Sequence, residues 1–352
     1  MLRILGVLLA AVMVLGLAAC GGDEQKAAAE GAKPAAPKTF TLGYFPNVTH
    51  AQALIGIKRG DFAQALGSDV EFKSVGFNAG PSVIEAVYAG QLDIAYVGPS
   101  PTINGFVKSG GKEVRLIAGA AENGILIVGS KKRGITTLEQ LKGAKIATPQ
   151  MANTQDISAK HYVTAKLGSK LGRGEGETEV IPVANPDIMN LFEKDQLDAA
   201  WIPEPWAARM EEEGLVVIIA EEKELWEQGR FTLTSVIARA EFLEKHPDLV
   251  EKFLRAHIQI TKELQQDTKP FVGPINDQIE AATGKRIKES VLARALERCQ
   301  FTVEPDPYSY ERFFEKGKDL GFYRDPSFDV KKLIVDGPLR RALEPAAEKP
   351  AN

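Results

Sequence analysis

The chain has 352 residues, 44% of them apolar and 26% charged, which is enough for two ordinary domains with proper cores. A formal net charge of -4 with no basic stripe excludes nucleic acid as a partner. Two cysteines, Cys20 and Cys299, exclude a disulfide-built scaffold, so packing must stabilise the fold.

Arg3, the apolar run Ile4 to Leu17 and the small residues before Cys20 have the form of an export signal, and the run is short for a membrane span. Leu17-Ala18-Ala19-Cys20 resembles the bacterial lipobox. That resemblance implies a diacylglyceryl group on Cys20, cleavage just before it, and attachment to a membrane through the lipid. Residues 1–19 are then a signal peptide. Residues 20–38, rich in Ala, Gly, Pro and charge without apolar periodicity, read as a flexible tether. Cys299 has no nearby His or basic cluster to activate it and reads as a small apolar core residue.

From Thr39 the periodicity predicts strand, helix, strand, helix, strand: Thr39–Tyr44, His50–Lys58, Val70–Phe77, the helix before Gln91, and Leu92–Val97. Val114–Ala120 and Ile125–Ser130 are further strands, the second crossing into a new lobe. A capped helix over Thr137–Gly143 leads to a strand at Lys145–Ala147. The cycle continues through a helix at Asn153–Lys166, strands at Val180–Pro182 and Ala199–Ile202, then Val216–Ile219 and Thr234–Ala238, the last re-entering the first lobe. Residues from Glu241 to Lys316 are largely helical and should pack on the first lobe. The expected organisation is lobe 1 at 39–126, lobe 2 at 127–230, a return to lobe 1 at 231–340, and a disordered tail at 341–352.

The pattern VIEAVYAGQLDIAYVGPSP (Val83–Pro101) recurs as IMNLFEKDQLDAAWIPEPW (Ile188–Trp206) at constant offset, with Gln91, Leu92, Asp93 and Ala95 matched by Gln196, Leu197, Asp198 and Ala200. Such a unit cannot bury its own apolar face, so two copies this far apart point to two related α/β lobes with mainly parallel sheets and a cleft between them. In sheets of this kind ligands sit at the carboxyl ends of strands.

Catalytic signatures are missing. Gly98-Pro99-Ser100-Pro101-Thr102 lacks the final Gly of a nucleophile elbow, and GFVKSGGK (Gly105–Lys112) misses the phosphate-loop spacing. The four histidines fall at no metal-ligand spacing, and no cofactor motif is present. What the chain does offer is a set of polar loops immediately before helices: Asn47 to His50, Asn78 to Ser82, Ser100 to Thr102, and Asn153 to Asp156. Helix starts carry unsatisfied N–H groups and the positive end of a dipole, which suits an anion. No Arg or Lys sits in these loops, so neutral donors would hold it. Four or five charge-assisted hydrogen bonds of roughly 1.5 to 3 kcal/mol each supply the roughly 8 kcal/mol of micromolar binding after ordering costs. Tyr96 and Trp201 lie near the ends of matching strands, and Glu204 sits on a stiff loop between Pro203 and Pro205. A carboxylate there accepts either from a ligand amine or from backbone N–H groups across the cleft.

GYFPNVTHAQALIGIKRGDF (Gly43–Phe62), NAGPSVIEAVYAGQLDIAYVGPSP (Asn78–Pro101), LKGAKIATPQMANTQD (Leu141–Asp156) and LDAAWIPEPW (Leu197–Trp206) together resemble the substrate-binding lipoproteins of ABC importers in the nitrate, sulfonate and taurine class. The resemblance runs from about Phe40 to Gly337. It implies the type II periplasmic-binding-protein fold and a monomer that closes on a small organic anion. It also implies docking onto a membrane permease driven by a cytoplasmic ATPase. Asn47, Thr49, His50, Asn78, Ser100, Thr154, Gln155, Trp201 and Glu204 occupy loop positions where this class contacts ligand, and Tyr96 or Trp201 would pack against its organic body. The departure is the missing basic residue, which favours an aliphatic sulfonate over nitrate or bicarbonate; Glu204 would suit taurine. Related lobes also bind thiamine-pyrimidine precursors, so a planar heterocycle is the alternative ligand and ligand sensing the alternative role.

Overall fold

The computed structural model describes residues 39–323 and 328–345; the signal, the tether with Cys20, and residues 346–352 lie outside them. Eleven strands are described, β1 (Thr39–Tyr44), β2 (Glu71–Gly76), β3 (Ile94–Val97), β4 (Val114–Asn123), β5 (Ile125–Ser130), β6 (Lys145–Thr148), β7 (Glu179–Pro182), β8 (Ala199–Pro203), β9 (Val216–Glu221), β10 (Thr232–Arg239) and β11 (Cys299–Phe301). They form two sheets, ordered β11-β4-β10-β3-β1-β2 and β7-β6-β8-β5-β9. In each, three successive βα units give parallel neighbours, β2-β1-β3 and β7-β6-β8. The strands that carry the chain between lobes pair antiparallel, β10 with β3 and β4, and β5 with β8 and β9.

The repeated Leu-Asp does the same job twice. Asp93, just before β3, accepts from the Thr41 backbone N–H at 2.9 Å and pairs with Arg239 at 2.9 Å. Asp198, just before β8, accepts from the Lys145 N–H at 2.7 Å and pairs with Arg133 at 2.7 Å. Each aspartate ties a central strand to its parallel neighbour and fixes register, which a two-residue alternation alone would leave free to slip. Leu92 and Leu197 beside them are fully buried in the cores.

The first lobe packs β1 and β3 against the helices at Ala51–Arg59 and Pro247–Gln266, with Phe62 stacked on Phe253 at 4.6 Å and Phe40 on Phe253 at 5.7 Å. Burial of such side chains contributes roughly 1.5 to 3 kcal/mol each. The lobes join where β4 runs into β5 through Gly124, whose φ of 78° lies in the left-handed region that glycine adopts without steric cost. The Gly124 carbonyl accepts from the Glu204 N–H at 2.8 Å, tying the first crossing to the end of β8.

Three local expectations change. The helix expected over Thr137–Gly143 is a single 3₁₀ turn, Glu139–Leu141, because the Gln140 side chain accepts from the Thr136 and Thr137 N–H groups and Gly143 turns the chain straight into β6. Within the largely helical return, β11 forms a three-residue edge beside β4, too short to show alternation. The stretch expected to be disordered from 341 begins inside the helix Gly337–Leu343, whose end is held by Arg255 donating to the Arg341, Ala342 and Glu344 carbonyls.

Candidate functional site

The loops at the carboxyl ends of both sets of parallel strands enclose one cavity, lined by Phe45, Asn47, Thr49, His50, Asn78 and Gly98 from the first lobe, and Asn153, Thr154, Gln155, Asn185 and Pro203 from the second. Leu233 and Thr234 of β10 complete it. The walls approach closely, leaving about 20 Å³ over which the centre of a water-sized sphere can range. Its two halves are counterparts: Gly98, just after β3, and Pro203, at the end of β8, match at the offset of the repeat, and Asn78 lies in the loop after β2 while Asn185 opens the helix after β7.

Four helices begin around it, Gly80–Tyr88, Pro99–Lys108, Thr154–His161 and Asn185–Glu193, and none is capped by the side chain of its own N-cap residue, although the Gly80 N–H donates to Asn153 Oδ1 across the cleft. Their first N–H groups and dipole ends give the cavity a positive potential. Among the described residues no Lys, Arg, Asp or Glu lines it.

The side chains add donors for a structural reason. Asn47 Oδ1 accepts from Trp206 Nε1 at 2.7 Å, which leaves its amide N–H groups to the cavity side of the bonding ledger. Asn153 Oδ1 accepts from the Gly80 N–H at 3.3 Å, so its Nδ2 donates to Gln155 Oε1 at 2.6 Å, and Gln155 Nε2 has no hydrogen-bond partner among the described residues. His50 Nδ1 accepts from the Phe45 N–H at 3.3 Å, which puts the proton of the neutral ring on Nε2. In each case the acceptor is occupied inside the protein and the donor is left. Thr154 Oγ1 is buried with no hydrogen-bond partner among the described residues, which costs roughly 1 to 3 kcal/mol if nothing pairs it. Asp156, on the same helix, is not a lining group: it accepts from Thr148 Oγ1, the Ala152 N–H and Lys160.

Burial lowers the His50 pKa to about 3 and that of His257 to about 4. His257 donates from Nε2 to the Gly119 carbonyl at 2.9 Å and accepts at Nδ1 from the Tyr96 hydroxyl at 2.8 Å, so it is held neutral. Both folded values lie below the unfolded value of about 6.5. The unfolded chain therefore binds more protons from about pH 4 to about pH 6.5, and stability rises with pH across that window and is lost as pH falls through it. Thermal melts should decline below pH ~6.5, and the His257→Gln variant should lower that slope by up to about 1.4 kcal/mol per pH unit. An unchanged slope would refute the assignment.

A family model described as the NMT1-like family matches residues 33–270. The chain belongs to the NMT1-like family. It is 28% identical over 197 residues to the taurine-binding periplasmic protein of Escherichia coli K12, covering 56% of this chain and 58% of that one, so the match spans little more than half of that relative. It is 27% identical over 304 residues to a Bacillus subtilis 168 protein named for binding aliphatic sulfonates, covering 83% of this chain and 84% of that one. Among solved structures, the alkanesulfonate-binding protein SsuA from Xanthomonas axonopodis pv. citri, bound to MOPS, superposes with a TM-score of 0.70 at 17% identity, covering 86% of this chain and 99% of that one. The NMT1-like chain thus has the periplasmic-binding-protein fold, with two α/β lobes.

Of the sequence-derived site residues, Asn47, Thr49, His50, Asn78, Thr154 and Gln155 come together around the cavity, and Tyr96, Ser100, Trp201 and Glu204 do not line it. Tyr96 and Trp201 lie within strands, where side chains point to the sheet faces, and each is bonded in a core: Tyr96 to His257, Trp201 Nε1 to Glu222 at 2.5 Å. Ser100 is buried at the second position of its helix, and Gly98 is the lining residue of that loop. Glu204 is fully buried but accepts from Arg298 at 2.6 Å and from the Ala208 N–H of its own following helix at 3.0 Å, so neither a ligand amine nor an N–H across the cleft is its partner. Phe45, Leu233 and Pro203 supply the apolar wall instead. Asn185 was legible in the repeat: Asn185-Pro186 stands in register with Gly80-Pro81.

Proposed function

We propose that the protein is the extracytoplasmic solute-binding component of an ABC importer. In this reading it captures a small organic anion, an aliphatic sulfonate or taurine, and hands it as a monomer to a membrane permease driven by a cytoplasmic ATPase. Cys20 carries the lipid that holds it at the membrane. The reading assigns a binding role, without a catalytic residue. The observation that carries it is the make-up of the cavity: four helix starts without a cap from their own N-cap residues, and the acceptors of Asn47, Asn153, Gln155 and His50 engaged inside the protein, with Asn185 Oδ1 a lining acceptor that has no partner among the described residues and no carboxylate to repel an anion. Asn47, Thr49, His50, Asn78, Thr154 and Gln155 would hold the sulfonate oxygens, and Phe45, Leu233 and Pro203 the carbon chain. The names of the Escherichia coli and Bacillus subtilis relatives point the same way.

Because Glu204 is engaged by Arg298, no lining carboxylate rewards an amine. Titration calorimetry on the purified protein should therefore give micromolar affinity for ethanesulfonate, with taurine binding no more tightly. Since His50 is neutral above about pH 4, that affinity should be flat from roughly pH 6 to roughly pH 8. No heat with any sulfonate at millimolar concentration would sink the proposal.

A further inference from the structure

A second cavity, sharing no lining residue with the first, lies where the chain returns from the second sheet to the first. Its volume is about 430 Å³, against about 20 Å³ for the first cavity. It is bounded by the helix Thr154–His161 and the π-turn Tyr162–Lys166, by the segment that links β9 to β10, and by the helix Pro307–Asp319. Tyr162, Trp201, Trp226 and Tyr308 supply an aromatic wall.

Glu222 and Lys316 face the cavity beside the Trp226 ring without a direct ion pair between them, and Lys166, Glu227 and Arg312 are the other charged lining residues. Glu222, 1% exposed, is saturated by neutral donors: Ser158 Oγ at 2.5 Å, Trp201 Nε1 at 2.5 Å and Trp226 Nε1 at 3.2 Å. Lys316 Nζ rests 3.8 Å from the centre of the Trp226 ring and 5.2 Å from that of Phe313. Among the described residues it makes no hydrogen bond and no ion pair. An aromatic face supplies part of what an ammonium loses on leaving water, but it accepts none of the three N–H bonds. The ammonium is half-buried and feels the Glu222 carboxylate without bonding to it directly, so an oxygen anion entering the cavity would supply the direct partner that it lacks among the described residues. Arg312 at the rim adds positive charge, although Glu227 and Glu315 already engage it. Burial has lowered the Lys316 pKa to about 8, and an acid group beside it would raise that value.

We propose that this cavity is a second ligand site, for a small aromatic carboxylate or sulfonate whose acid group pairs with Lys316 and whose ring packs on the aromatic wall. The first cavity does not fit this class, because its walls leave room for little beyond a headgroup and a short chain.

The test is a calorimetric titration of the purified protein with benzenesulfonate and with benzoate, each run alone and again in the presence of excess butane-1-sulfonate. The expected result is a single site whose affinity for at least one aromatic acid is unaffected by butane-1-sulfonate. Lys316→Met conserves volume and should weaken that binding tenfold or more, while Gln155→Leu in the first cavity leaves it intact. Leu225→Trp at the mouth should also abolish it without changing charge, which keeps the test decisive if the lysine variant folds poorly. Absence of binding at millimolar concentration, full affinity in Lys316→Met, or competition by butane-1-sulfonate would each overturn the proposal. Failure of butane-1-sulfonate to bind at all would count against the sulfonate reading of the first cavity and leave the aromatic titration to be judged on its own.

Discussion

Replacing Arg298 with alanine should destabilise the protein by about 3 to 5 kcal/mol, the largest stability loss expected of any single polar change. Glu204 is fully buried, and Arg298 Nη1, 2.6 Å from Glu204 Oε1, is its only cationic partner among the described residues. The Ala208 N–H, 3.0 Å from Oε2, is too weak a partner to hold a buried carboxylate alone. Burial already raises the Glu204 pKa, opposed by the Ala208 N–H and by Arg298. Without Arg298 the value rises further, so the folded variant takes up a proton that the unfolded chain does not. Its deficit should then shrink as pH is lowered from about 8 to about 5. Glu204→Gln combined with Arg298→Met should be much less harmful than Arg298→Ala, because no charge is left stranded. Denaturant unfolding at two pH values checks both points; a loss under about 1 kcal/mol at neutral pH would mean that the pair is not the buried contact described here.

The pair also explains why Glu204 misled. A carboxylate between two prolines after a buried strand needs a partner, and sequence shows only local candidates. Arg298 lies far along the chain, beside a three-residue strand hidden in a mostly helical stretch. It joins the end of β8 in the second lobe to the approach to β11 in the first, so the pair is a strut between lobes.

Elsewhere the chain was easier to read. The duplicated Gln-Leu-Asp placed the two central strands correctly because Asp93 and Asp198 repeat one hydrogen-bonding task, and repeated tasks leave repeated residues. The polar loops at Asn47, Asn78 and Thr154 were legible because a polar residue between a buried strand and a helix has few other uses. Nearness to a strand end does not give Tyr96 and Trp201 access to the cleft. Side-chain direction in a strand follows the sheet face, and both rings enter the layers between sheet and helices. Pro203 pairs with Gly98 inside the repeat and Asn185 pairs with Gly80 three positions before it, so the register alone points from each glycine of the first lobe to a lining residue of the second or to its loop.

At Gly98 the backbone of the first lobe lies against Thr154 of the second, and Gly98→Ala should have the largest effect on binding. A Cβ there would lie 2.4 Å from Thr154 Oγ1 across the cleft and 3.0 Å from the Leu233 carbonyl oxygen beside it. Its backbone is extended at φ -79°, so alanine is not strained by conformation, and the clash is the whole effect. The Thr154 side chain is β-branched at the first position of its helix and has little rotamer freedom to retreat, while the carbonyl belongs to β10 itself. The relief available is a separation of the lobes by a few tenths of an ångström, which lengthens bonds from both halves to one bound headgroup. Affinity for ethanesulfonate should fall at least tenfold, or about 1.4 kcal/mol. Folding stability should fall by about 1 to 3 kcal/mol, the usual cost of overpacking. Unchanged affinity would mean that closure does not bring Gly98 and Thr154 together in solution.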